Sequence, residues 1–124
     1  MSTNVQIAAN IQSLTHEIYN NNVIAGWWDN RDAADPMIVA GLIALMHSEL
    51  SEALEGVRKN LMDDHLPHRK MVEVEFADTI IRILDAAGAM NLDVGSAIIE
   101  KLEYNKQRLD HKRENRASTN GKKI

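Results

Sequence analysis

Two pairs of carboxylates have the spacing of a cation site: Glu49 with Glu52, and Glu75 with Asp78. Residues three apart share a helix face, so each pair can converge on one ion. A set of ligands made only of carboxylate oxygens suits Mg²⁺ or Mn²⁺. Spacing alone decides little, because Asp29/Asp32, Asp32/Asp35, Glu52/Glu55 and Glu100/Glu103 repeat it. The competing reading of every such pair is a solvated acidic face. A di-iron bundle would need Glu-x-x-His on its helices, and neither pair has a histidine at that offset. His47 projects about 160° away from Glu49 on a helix. His65 and His68 flank Pro67 and read as a surface loop.

Position separates the pairs. On a helix through Met37 to Asn60, Glu49 falls between Ile38 and Leu42 and close to Leu45, inside the apolar stripe. Glu52 lies at the edge of that stripe, while Ser51, Glu55, Arg58 and Lys59 hold the polar arc. An ionised carboxylate among apolar residues is costly unless paired or bound to metal. On the next helix Glu75, Asp78, Arg82 and Asp85 form one polar stripe. That stripe fits a plain solvent face as well as one turned toward the preceding helix. The rest of the helix is apolar over a wide arc through Val72, Val74, Phe76, Ile80, Ile81, Ile83 and Leu84, so little solvent face is expected.

Groups that could hold phosphate lie near the C-terminus. Lys101, Asn105 and Arg108 fall in a narrow arc at i, i+4 and i+7, beside Ile98, Leu102 and Leu109. A guanidinium grips two oxygens and an ammonium adds a point charge. A solvated helix face accounts for the same pattern. Tyr104 borders the arc as either a core or a site residue. Trp27 and Trp28 sit in a loop, where each either caps the core or offers a flat face to a nucleobase, with Arg31 close by.

Four helices must position these groups. The first spans about Val5 to Ala25 and stops at Gly26. Asp35-Pro36 supplies an N-cap carboxylate and a proline at the first position of the second. A third runs from about Lys70 to Met90 and breaks at Asn91. Asp93 caps a fourth, which continues to about Asp110. Residues 1–110 are expected to form one domain, and residues 111–124 a polar, mobile tail. The expected fold is an all-α helical bundle.

Composition bounds the rest. The chain has 124 residues, enough for one core and too few for two. Abundant Ala, Leu, Ile and Met with 4 % aromatics favours helices over a β-sandwich. The net charge of −4 argues against a nucleic-acid polymer as partner, although most Lys and Arg lie between Lys101 and Lys123. The absence of cysteine excludes disulfides, zinc–thiolate sites and thiol nucleophiles. No apolar run approaches a membrane span and no secretory leader is visible, so a cytoplasmic location without membrane contact is expected.

In combination the motifs resemble a known family. Glu49-Leu-Ser-Glu52, 22 residues, then Glu75-Phe-Ala-Asp78 is similar to the ExxE…ExxD signature of MazG-like nucleotide pyrophosphohydrolases. These belong to the all-α NTP pyrophosphatase superfamily, with the dimeric dUTPases and phosphoribosyl-ATP pyrophosphatase. The likeness extends through His47 to Ala53, Ala77 to Arg82, and Glu100-Lys101 with Tyr104-Asn105-Lys106 and Arg108, covering about residues 25 to 110. It implies a four-helix bundle of the NTP pyrophosphatase type, assembled as a homodimer or homotetramer. It also implies four acids on Mg²⁺, phosphates held by Lys101, Asn105 and Arg108, and a nucleoside triphosphate cleaved to monophosphate and pyrophosphate, in nucleotide-pool cleansing. Many relatives continue after the arginine with proline, an aromatic and His-Gly; here Leu109-Asp110-His111-Lys112 follows. The alternatives are a non-catalytic nucleotide or metal sensor, and a helical adaptor.

Overall fold

The computed structural model describes residues 3–108 and 113–124. Among the described residues five helices account for the regular structure: α1 (Asn4–Ile24), α2 (Pro36–Arg58), α3 (Met71–Ala89), α4 (Val94–Gln107) and the single turn α5 (Arg113–Arg116). Among the described residues the only bridge between extended segments joins Met62 to Lys70. The fold is all-α.

Local chemistry explains where the helices start and stop. Asp35 accepts a hydrogen bond from the Met37 amide at 2.9 Å, and Pro36 opens α2. Asp93 accepts from the Ser96 amide at 3.0 Å and starts α4; that bond holds its carboxyl below the usual range. Three helices end alike. Gly26, Asn60 and Asn91 have φ of 87°, 51° and 58°. Each is followed by an amide that reaches back five residues: Trp27 to Asn22, Leu61 to Gly56 and Leu92 to Ala87. These are Schellman ends, which need a left-handed residue that glycine and asparagine supply at least cost. α4 stops at Gln107, with Arg108 extended at φ −72° and ψ 134°. The expected continuation toward Asp110 falls outside the described residues, as does the start of the expected tail.

The chain divides into two compact units, Met1–Gln12 with Asp93–Ile124, and Ser13–Leu92. In the second unit α2 packs against α3 as a helical hairpin. The connecting loop is pinned by the buried Asp63, whose Oδ2 accepts from the His65 and Leu66 amides at 2.9 and 2.8 Å. Gly56 lets the two helices converge at that end: a Cβ there would stand 2.9 Å from Cβ of Met71. Along α3, Gly88 does the same for α1, where a Cβ would stand 2.6 Å from Cβ of Tyr19. In the first unit Gly95 is buried against the Ala8 carbonyl.

The buried apolar residues, Ala53, Leu84, Ala86 and Ala87, are few and small. The wide apolar arc of α3 is only partly covered in the single chain: Leu84 is buried, but Phe76 and Ile80 are 54 % and 53 % exposed. Periodicity identifies an apolar face without saying whether the same chain covers it. By length and composition α2 is apolar enough to cross a membrane, its most apolar 18 residues having a mean hydropathy of 1.4. Its two central acids break the apolar run while leaving the average high.

Candidate metal centre

Glu49 comes from the middle of α2, and Glu75 and Asp78 from the first half of α3, one turn apart. The hairpin brings one carboxylate oxygen of each within 4.8 Å of the others. All three residues are half-buried. The polar stripe of α3 therefore faces α2. Arg82, one turn beyond Asp78, donates from Nε to Glu49 Oε1 at 2.9 Å. Glu49 keeps only 17 % of its side chain exposed, against 40 % for Arg82. Thr79 anchors the turn behind the acids, its buried hydroxyl donating to the Glu75 carbonyl at 2.8 Å.

The acids differ in their support. Glu49 is held below the usual carboxylate range, first by a shared hydrogen bond with Glu75 and then by Arg82. Glu75 is pushed up to about 7, first by burial, then by the shared bond and charge of Glu49 and by the charges of Asp78 and Glu52. Glu49 and Glu75 titrate as one pair, the hydrogen bond between them lowering the first and raising the second. Asp78 is raised by burial and by the charges of Glu49 and Asp63, with Arg82 and His65 pulling the other way. Glu75 Oε2 is buried without a hydrogen-bond partner. A proton, a cation or a hydrogen-bond donor such as water would each relieve a crowded acid set with an orphaned oxygen.

Glu49 and Asp78 line a cleft of about 530 Å³ together with Arg82, Asp85, Arg31, Asn22 and Trp27. The tryptophans part company here. Trp27 is 63 % exposed and forms one wall of the cleft. Trp28 turns inward, its Nε1 donating to Asp85 Oδ1 at 2.9 Å and its ring edge-on to Tyr19 at 5.9 Å. Arg31 also lines a neighbouring hollow of about 570 Å³ with Tyr19, Trp28, Asp29 and Asp32.

No family model, curated protein or solved structure matches the chain. The site must be read from its own chemistry.

Of the residues selected from sequence, Glu49, Glu75 and Asp78 converge. Glu52 is exposed and stands outside the triad, although its charge reaches Glu75. Trp27, Trp28 and Arg31 lie in the same unit as the triad. Lys101, Tyr104, Asn105 and Arg108 belong to the other unit. There the Lys101 ammonium sits 4.5 Å from the Tyr104 ring centroid, a cation–π contact. Asn105 lines a hollow with Asn4, Ile99 and Leu102, and its Oδ1 is buried without a partner. Arg108, the C-cap of α4, leaves the helical arc on which the sequence placed it. Arg82 was visible in the sequence only as part of a polar stripe, and Asp63 did not stand out as a site residue. Neither carries a sequence signal of its tertiary partner.

Proposed function

We propose that this chain is a Mg²⁺-dependent nucleoside triphosphate pyrophosphohydrolase of the MazG-like kind. The observation that carries the proposal is the Glu49–Glu75–Asp78 triad, with its orphaned Glu75 oxygen, beside a cleft that also offers an exposed indole and two guanidinium groups. The donor set fits the ion, since Mg²⁺ and Mn²⁺ prefer carboxylate oxygen. Glu49, Glu75 and Asp78 would hold it, with Glu52 at the rim. When bound, the ion supplies charge neutralisation for the triphosphate and for the oxygen that leaves.

The chain's own residues do the rest. Trp27 offers a face for a base, and Asn22 beside it offers an amide donor and acceptor. Arg31 and Arg82 attract the polyphosphate. A carboxylate of the set would orient the attacking water and accept its proton, the water oxygen bonding to the α-phosphorus as the α–β anhydride breaks and pyrophosphate departs. Lys101, Asn105 and Arg108 are assigned to phosphate on the strength of the resemblance alone.

Exposed Phe76, Ile80, Leu50, Leu54 and Val57 on α2 and α3 support assembly as a homo-oligomer, because apolar surface of that extent is rarely left open. The test of function is pyrophosphate release from a panel of natural and modified (d)NTPs with Mg²⁺ or Mn²⁺. Release from at least one is expected, and it should vanish with chelator. A full panel left intact would refute the proposal. Nucleotide binding without release would instead identify a sensor.

A further inference from the structure

Arg82 is the only base bonded to the triad among the described residues, and its position is unusual for a structural ion pair. It spends one donor, Nε, on Glu49. Its two terminal nitrogens make no hydrogen bond or ion pair among the described residues, and the side chain is 40 % exposed along the cleft wall. A guanidinium carries five N–H donors in a planar fork suited to paired oxygens of carboxylate or phosphate. Here the fork is docked by one prong. Glu49, the carboxylate it pairs with, is one of the three that offer an oxygen to a cation. Cation and arginine therefore compete for the same carboxylate.

We propose that Arg82 is an exchangeable counter-cation: it holds Glu49 while the centre lacks metal, and on release grips an anionic oxygen of the triphosphate in the cleft. The inference rests on the proposed function and deepens it by assigning a positioning and substrate-binding role to a residue outside the acid motif. Two features of the site favour exchange over permanent pairing. Arg82 lies one turn from Asp78 and also attracts it, so the guanidinium can leave Glu49 without leaving the site. Asp85, the next acid along the stripe, is already engaged by the Trp28 indole at 2.9 Å and is a weaker lure for the freed group. Arg31, exposed on the same cleft, gives the polyphosphate a second cationic contact.

The role predicts opposite effects on two ligands, which a merely structural pair would not produce. In the full-length protein, R82Q removes the competitor, so Mn²⁺ alone, followed by its paramagnetic resonance signal, should bind about three- to fivefold more tightly. A non-hydrolysable triphosphate analogue in saturating Mn²⁺ should bind about tenfold more weakly, having lost a charged hydrogen bond. R82K keeps the positive charge without the planar fork; its Mn²⁺ affinity should stay near that of the unaltered protein while analogue binding falls. R82K also serves if R82Q does not fold. Mn²⁺ affinity that R82Q leaves unchanged or weakens, or analogue binding that R82K leaves unchanged, overturns the role of Arg82. An unaltered protein that binds no Mn²⁺ at all overturns the proposed function together with this inference.

Discussion

Glu49 on α2 and Glu75 on α3 are the same side chain on facing helices, with oxygens within 4.8 Å, yet they are held in opposite ways. Glu49 has an arginine at 2.9 Å and stays ionised. Glu75 has a buried oxygen with no donor, and its carboxyl holds a proton to about pH 7. The contrast is the one that the proposed metal site would need, with one acid neutralised by the chain itself and the other left for an ion. The arginine-paired acid holds the helices together without metal, while Glu75, once ionised, adds repulsion that a cation would relieve.

The largest effects should come from neutralising either acid. E49Q and E75Q should each lower pyrophosphate release by about a thousandfold or more, because an amide replaces a charged ligand. Their stabilities should diverge. Without metal at pH 8, E75Q should raise Tm by removing repulsion, and E49Q should lower it by stranding Arg82. Equal shifts in the two variants would erase the contrast.

A pH series sharpens it further. Folded Glu75 retains its proton to about pH 7, against an ordinary value of 4.5. Between those values the folded state binds more protons than the unfolded one, so metal-free Tm should fall as pH rises. That slope should flatten in E75Q. Mn²⁺ must displace the Glu75 proton, so its affinity should rise about tenfold per pH unit below 7 and level off above.

Glu52 provides an intermediate case. It shares Glu49's helix but is exposed, so E52Q should reduce turnover by about tenfold, far less than E49Q. A loss equal to that of E49Q would place Glu52 among the ligands. The smallest effects should separate the tryptophans. W27A should raise KM about tenfold with Tm unchanged, from lost stacking. W28F should leave KM alone and cost about 1 kcal/mol of stability in urea unfolding, from the hydrogen bond to Asp85.

How much of this was legible depended on whether the signal was local. Helix starts at Asp35-Pro36 and Asp93, and stops at Gly26 and Asn91, are decided by residues adjacent in sequence, and they fall where the sequence placed them. Glu49 was conspicuous because it interrupts an apolar stripe. Glu75, Asp78 and Arg82 were indistinguishable from a solvent face, since periodicity reports a stripe and not what lies opposite. The fates of Trp27 and Trp28 turn on the backbone between Gly26 and Asp35, which no spacing rule encodes. Phe76 and Ile80, expected to be covered, are exposed in the single chain for the same reason: periodicity marks an apolar face without saying what lies against it.

The parting of the two tryptophans also gives the protein an internal optical gauge. They are the chain's only indoles. The emission of Trp27, open to water, should be red and easily quenched, while that of Trp28, edge-on to Tyr19, should be bluer and shielded. A nucleobase stacking in the cleft would darken the red component alone, and unfolding would shift the blue one. Occupancy and integrity could then be read from one spectrum, without any added dye.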